Sequence, residues 1–395
     1  MRSRRRCIRN GVVVCLPLLG CLARESGPVG DGDRPPRRLA SPTEFPAAFT
    51  VIRAVMPLPD GRLVVSDPQE NRLALIDYSS GLIQSLGRVG EGPHEFRRAG
   101  GLYRAPGGGV FLLDHDLRRL LPVLPSGDLG DVVGLPTGGA STFWSPRGPD
   151  PLSIDTLGLV YSAVRFGGFT APTSVLLRFR PSARPDTLTE LLRPEVKVLT
   201  EVAKRMEYQE VLFSPEDTWV VSPGGRVAVV RAVPYRIEWI PPEGPRVIGP
   251  IIRHEPIPVT HGEKVEIASG QAGSRGRISV TVLRAPVGGS RAGGEGAPQP
   301  IPVSELLFAK VKPPVMVRES GPPIIDDRGR LWVQRNVRPD ETSSMFDVFD
   351  QRGELVERVA LPTGSRLVGF DRQWMYAARA DSNRFERLQR FPLPF

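Results

Sequence analysis

The sequence predicts an all-β protein built from repeated four-stranded antiparallel sheets, and three observations predict it. From Phe45 onward, short β-branched and aromatic runs recur, each bounded by Gly, Pro or Asp, with little helical periodicity. Gly and Pro number 42 each among 395 residues, aperiodic and interleaved with apolar runs, as many turns between short strands require. The third observation is self-similarity at a fixed spacing.

The stretch "DGRLVVSDPQENRLALIDYSSG" opens at Asp60-Gly61, and "GGGVFLLDHDLRRLLPVLPSG" carries the same pattern with its turn glycine at Gly108. Each has a turn glycine (Gly61, Gly108), an apolar strand, an Asp six residues on (Asp67, Asp114) and an Arg five further (Arg72, Arg119). A second apolar strand and a second turn glycine follow (Gly81, Gly127). The frame recurs from Gly225 to Gly244, with Arg231 at the Asp position and Arg236 at the Arg position, and from Gly329 to Gly353 with a longer loop. Looser copies start at Gly158 and near Asp371. These are hairpins, starting near 61, 108, 158, 225, 329 and 371, each with room for two more strands. Repeats of about 40–50 residues with four strands predict a six-bladed β-propeller over 45–395.

Between Gly225 and Gly329 the spacing is about twice a blade. An insertion at about 256–305 on one face explains it. A degenerate seventh blade containing "GRISVTVLRAP" is the alternative, disfavoured because no hairpin partner with the repeat's offsets follows.

The glycine-rich "GRVGEGPHEF", Gly87 to Phe96, falls between the first hairpin and the second. A phosphate-cradling loop follows a strand and opens a helix. Here Pro93 removes an N–H, no helix-period run follows and no lysine is present, so the stretch reads as a turn.

The first 44 residues read as an address. Residues 1–20 have a basic start and an apolar stretch from Gly11 to Gly20, too short for a bilayer span of about 20 residues and fitted to a signal peptide. Leu18-Leu19-Gly20-Cys21 resembles a bacterial lipobox, which implies an acylated Cys21 as the mature N-terminus; an ordinary signal peptide with a chance cysteine is the other reading. Residues 21–44, rich in Pro, Gly, Asp and Arg, read as a flexible tether. The expected location is the bacterial cell envelope, on the periplasmic or surface side, anchored by lipid.

Composition excludes several chemistries. The net charge of +9 includes five arginines in the first 20 residues; without them 47 basic groups face 43 acidic ones with no basic stripe, so nucleic-acid binding is not expected. All three cysteines (Cys7, Cys15, Cys21) lie in the leader region, leaving the body without disulfides, thiolate metal sites or a cysteine nucleophile. Of the four histidines, His254 and His261 flank "EPIPVT", whose prolines forbid an H-E-x-x-H helix, and His94 and His115 sit in loops. No G-x-S-x-G elbow occurs. No catalytic residue, metal or cofactor is assigned.

"GRVGEGPHEF" followed by "GGVFLLDHDLRRLLPVLPSG" resembles an NHL-type six-bladed propeller repeat, as does the C-terminal "IIDDRGRLWVQRN" with "FDVFDQRGELVERVALP". The resemblance covers roughly residues 45 to 395 and is strongest in the first two repeats and the fifth. It implies a propeller whose loops carry the function.

Asp67 and Asp114 occupy the position that Arg231 and Arg335 take in other blades. Side chains at one level around a ring would make a funnel acidic on one side and basic on the other, and these four residues are the candidate ligand surface. The repeated Asp–Arg pairs also suit a structural tie between each hairpin loop and its neighbour. The five tryptophans are expected in inter-blade cores, with Trp144 the most exposed. The expected function is a monomeric, envelope-anchored scaffold binding an envelope protein or a small polar ligand. The alternative is a metal-dependent hydrolase or lactonase of the six-bladed type, whose axial ion needs Glu, Asn and Asp; the body offers only Asn71, Asn336 and Asn383 as asparagines.

Overall fold

All six hairpins stand where the repeat predicts them in the computed structural model, which describes residues 29–30, 35–114, 116–135, 152–166, 170–180, 184–202, 205–269, 282–284, 306–316 and 322–393. Blade 1 comprises Ala54–Pro57, Leu63–Asp67, Arg72–Asp77 and Leu82–Ser85. Blade 2 comprises Leu102–Arg104, Val110–Asp114, Arg119–Val123 and Val133–Gly134. Blade 3 runs Leu152–Ile154, Val160–Val164, Thr173–Phe179 and Asp186–Leu192, and blade 4 runs Thr218–Val221, Val227–Ala232, Tyr235–Ile240 and Val247–Ile248. In blade 5, Ile324–Ile325, Leu331–Gln334, Ser344–Phe349 and Leu355–Leu361 pair in order. Blade 6 takes Ser365–Phe370, Trp374–Ala380 and Glu386–Pro392 from the C-terminal end and its outermost strand, Thr43–Phe49, from the N-terminal end.

The first strands of successive blades lie against one another from blade 1 to blade 5, and that of blade 6 meets that of blade 1. The protein is a six-bladed β-propeller with first strands innermost. Its turn glycines adopt the left-handed backbone that a hairpin corner needs, as at Gly61 (φ 88°) and Gly329 (φ 76°).

Continuous apolar runs follow from this geometry. Each blade is a sheet buried on both faces, so alternate residues of one strand serve different cores. Leu63 and Val65 pack toward blade 6 with Tyr376 and Leu388, whereas Val64 packs toward blade 2 with Val110 and Leu121. Four further clusters fill the remaining junctions, among them Trp239 with Phe349 between blades 4 and 5, and Trp332 with Phe370 between blades 5 and 6.

At three first-to-second-strand turns one Asp organises the corner. Asp155 accepts the N–H groups of Leu157 and Leu159 on Oδ1 and the Tyr161 hydroxyl on Oδ2. Asp326 accepts Arg328 and Arg330 N–H on Oδ1 and the Trp332 indole on Oδ2. Asp371 does the same for Gln373, Trp374 and the Tyr376 hydroxyl. The carboxylate thus closes the turn and satisfies the polar end of a buried aromatic.

One feature differs from the sequence reading. The expected tether over 21–44 is shorter: Arg37–Arg38 pairs in parallel with Val359–Ala360 on the rim of blade 5, and Thr43–Glu44 already belongs to blade 6. An open outer edge with unpaired backbone groups favours such strand addition. The described parts of 256–305 build no further blade. They give Ile257–Pro258, a helix at His261–Ala268 and Val282–Arg284. The helix begins directly after the prolines because Thr260 and Glu263 form a reciprocal capping box.

Phe45 is fully buried between blades 6 and 1 on the strand that closes the ring. Phe45→Ala is expected to remove about 3–5 kcal/mol of stability, read as a lowered urea midpoint with an unchanged slope.

Candidate functional site

One face of the ring carries the second-to-third-strand loops and the blade-to-blade connections; we term it the upper face. Two connections on it have structure of their own. Residues between blades 3 and 4 form a hairpin, Val196–Val202 with Arg205–Glu210, joined by Val282–Arg284 from the connection between blades 4 and 5. That second connection also holds the helix and the pair Ile257–Pro258 with Val311–Lys312. The two meet through a bridge of Leu212 with Phe308 and a small core of Leu212, Ile267, Ala268 and Leu306.

This unit is fastened to blade 5. The Asn336 side chain donates to the carbonyls of Pro313 (2.8 Å) and Val315 (3.0 Å), and Val315 bridges Arg335. Lys312, whose side chain is 6% exposed, donates to Val337 O at 3.0 Å and pairs with Glu263.

The four residues expected to form a ligand funnel do different jobs. Asp67 is buried; its Oδ1 accepts Gln69 and Glu70 N–H and its Oδ2 accepts Thr50 N–H from the preceding connection. Asp114 repeats the arrangement with Asp116, Leu117 and Arg97. These carboxylates clamp hairpin loop to connection, so the acidic half of the funnel is replaced by a structural tie made to backbone amides. The partner arginines do not complete it as ion pairs: Arg119 donates to the carbonyls of Glu91, Gly92 and Glu95, holding the glycine-rich turn onto blade 2. That turn is secured further by the Glu95 carboxylate, which accepts Gly92 N–H and an Arg88 bond and is thereby held below its ordinary pKa.

Arg231 is engaged on every side. It donates to Glu190 O (2.7 Å), Asp217 Oδ2 (2.8 Å), Thr189 Oγ1 (2.8 Å) and Glu238 Oε2 (2.9 Å). Burial works against ionisation of Glu238, but Arg231 and Arg236 overcome it and hold the carboxyl below its usual range.

Arg335 stands in contrast. It faces Asp347, a fully buried carboxylate on the third strand of blade 5. Asp347 accepts Arg358 Nε at 2.9 Å and the Tyr235 hydroxyl of blade 4 at 2.9 Å, while Arg335 Nε stands at 3.5 Å from it. Burial and the Asp347 charge push the Tyr235 phenol well above its ordinary pKa, so it remains a donor. His254 lies edge-on against the Tyr235 ring, centroids 6.3 Å apart. Burial, and after it the nearby Arg335 charge, lower the His254 pKa. Sequence reading named Arg335, gave His254 no site role and missed Asp347 and Tyr235, because the cluster is assembled from two blades and a connection.

The lower face is different. Arg104, at the end of the innermost strand of blade 2, donates to Asp327 Oδ1 of blade 5 at 2.8 Å and to Pro57 O of blade 1 at 3.3 Å. Blades 2 and 5 are opposite in a ring of six, so this pair crosses the axis.

For the metal-dependent alternative the described residues assemble no ligand set. Among the described residues no three His, Cys, Asp or Glu side chains converge as ligands. Asn336 is engaged as above, Asn71 accepts Ala99 N–H, and Asn383 lies in an exposed turn closed by Asp381. His94 and His261 are exposed. Cys21, His115 and Trp144 lie outside the described residues.

No family model matches the chain, and no curated protein does. Solved structures with a similar course include a candidate exported protein of Bacteroides fragilis NCTC 9343 (9% identity over 89% of this chain and 94% of that one, TM-score 0.45). Others are the calcium-binding protein regucalcin of Agrobacterium tumefaciens C58 (10%, 91% and 96%, TM-score 0.41) and virginiamycin B lyase of Staphylococcus aureus (9%, 89% and 98%, TM-score 0.38). At this identity and score they add nothing to what the six sheets show of the fold.

Two outcomes are expected. Arg231→Ala leaves Asp217 and Glu238 short of a buried partner and should cost about 3–5 kcal/mol, whereas Arg335→Ala, losing one long contact, should cost no more than about 1 kcal/mol; urea unfolding of the two variants checks the contrast. Burial raises the Asp327 pKa, Arg104 opposing and Asp371 and Asp326 adding to the rise. The folded state therefore binds this proton more tightly, and its contribution falls as pH rises from the ordinary carboxylate value through the raised one. Asp327→Asn removes that dependence, so wild type should gain on the variant as pH is lowered from about 7 to about 4, a range spanning the ordinary carboxylate value, in paired urea titrations.

Proposed function

We propose that the chain is an exported propeller of the NHL-repeat type, anchored by lipid on Cys21, that uses its upper face to hold a small polar ligand or an envelope protein. The observation that carries the reading is the asymmetry of the faces. Connections are as short as residues 362–364 between blades 5 and 6, yet those leaving blades 3 and 4 fold a hairpin, a helix and a further strand over the ring. Long structured connections on a rigid scaffold are where binding residues concentrate. The opposite face has tight Asp-closed turns and a cation–carboxylate pair across the axis.

The anchor rests on the Leu18-Leu19-Gly20-Cys21 motif and on the position of the first described strands. Val29–Gly30 pairs with Ile251–Ile252, so only a few residues separate Cys21 from the folded rim. Among the described residues no helix is long and apolar enough to cross a membrane. Several acyl chains on one cysteine hold a protein stably where one chain is marginal.

Expressed in full in a bacterial host, the wild-type chain should incorporate labelled palmitate and partition with membranes. Cys21→Ser should lose the label and move to the soluble fraction. A wild-type chain that takes up no label would end the anchored reading.

A further inference from the structure

We propose that Arg335 and His254 form a binding site for an oxyanion group, the carboxylate or phosphate of a small ligand, on the upper face between blades 4 and 5. The proposal deepens the ligand-binding reading above and rests on it for the choice of face.

The case begins with a comparison inside the molecule. Arg231 and Arg335 arise from the same place in the repeat, at the end of the second strand of successive blades. Arg231 meets four acceptors within 2.9 Å. Arg335 has a single charged contact at 3.5 Å, its Nε is buried without a hydrogen bond, and its two terminal nitrogens make none among the described residues. Its side chain is nonetheless only 16% exposed. Only Nε is fully enclosed; the two terminal nitrogens reach solvent, so a ligand can approach them.

Charge points to the same class of ligand. Two guanidiniums, Arg335 and Arg358, share the single carboxylate of Asp347, and Tyr235 contributes a neutral hydroxyl already donating to it. The nearby acids have cations of their own: Glu255 pairs with Arg338, and Glu263 with Lys312. Among the described residues Arg335 meets no acid but Asp347, which already accepts bonds from Arg358 and Tyr235. His254, exposed and edge-on against Tyr235, brings an imidazole to the same cluster, because the Tyr235 hydroxyl reaches the Asp347 carboxylate that Arg335 faces. A planar guanidinium fork with two unused terminal nitrogens matches two oxygens of a carboxylate or phosphate, and the fit is specific to arginine. An apolar or cationic ligand would leave these donors unanswered.

The site is tested on the full chain carrying Cys21→Ser, so that its outcome does not depend on lipidation. Inorganic phosphate and succinate are titrated separately at constant ionic strength, and the imidazole resonances are followed by NMR, assigned with His254→Gln. The expected result is a saturable shift of the His254 signals with at least one probe, at an affinity on the order of millimolar or tighter, with His94 and His261 unmoved. Arg335→Ala should weaken the response about 10-fold or more, equivalent to about 1.4 kcal/mol, while the other histidine signals report an intact fold. Arg335→Lys, keeping the charge but not the fork, should fall between. A preference for phosphate or for succinate names the oxyanion. No saturable shift with either probe overturns the site, as does a shift equal in Arg335→Ala or shared by all the histidines. In that event palmitate labelling of wild type would still stand, and the anchored scaffold would bind a ligand of different chemistry.

Discussion

A ring of sheets is stable only when its last sheet meets its first, and in this protein that meeting depends on seven residues, Thr43–Phe49, pairing antiparallel with Glu386–Pro392. Until that strand is in place, the core of Phe45, Phe49, Val65 and Tyr376 between blades 6 and 1 lacks part of its wall. The contact joins residues more than 300 positions apart, as the Arg387 bond to Pro46 O illustrates, so a long loop must close before the contact rewards it. The same pairing steers what precedes it: Arg37–Arg38 is laid on the rim of blade 5 and Val29–Gly30 beside Ile251–Ile252. Closure of the ring and the exit path of the N-terminal segment are therefore one structural fact.

The blades were legible because their signals are local. A turn glycine, an apolar run, a polar corner and a second run fall within a single window, and each hairpin start near 61, 108, 158, 225, 329 and 371 matches a strand pair. The Asp155, Asp326 and Asp371 corners were equally local, with an aromatic five or six residues on, but their meaning appears only when the aromatic hydroxyl or indole is seen bonding back to the carboxylate. What could not be read was pairing at long range. Nothing in Arg37–Arg38 announces Val359–Ala360, and among the described residues the hairpin Val196–Val202 with Arg205–Glu210 has no counterpart at the other connections. The helix at His261 did have a local signal, Thr260 and Glu263 at capping-box spacing; Pro256 and Pro258 masked it, although both lie before the cap and leave the helix unbroken.

The candidate site shows why a repeat position does not determine a role. Asp67, Asp114, Arg231 and Arg335 are related by the repeat, yet two clamp backbone amides, one is saturated by two carboxylates, a hydroxyl and a carbonyl, and one is left with a long contact. The difference comes from partners outside the repeat frame. Asp217 lies before the first strand of blade 4 and Glu238 within its third strand, and together they neutralise Arg231. Around Arg335 the corresponding acid, Asp347, is shared with Arg358 and Tyr235. Sequence could name the residue type, but the sharing of Asp347 exists only in the assembled interface.

The two mouths of the ring differ as well. On the lower face Arg104 answers Asp327 across the axis and caps Pro57 O, so a cation and an acid from opposite blades neutralise each other where the innermost strands end. The pair braces the ring from within, complementing the outer closure by Thr43–Phe49. On the upper face the connection between blades 4 and 5 is fastened through Asn336 and Lys312, a few residues from Arg335 and Val315, and so fixes the backbone on which Arg335 stands. A guanidinium positioned by a rigid anchor, yet left with one long contact, differs in kind from a solvated surface arginine, which orders water and neighbours at little cost. One arginine closes a short ion pair across the axis at the lower mouth, and another is left with a single long contact at the upper one, and that contrast is the physical basis for placing ligand recognition at the junction of blades 4 and 5.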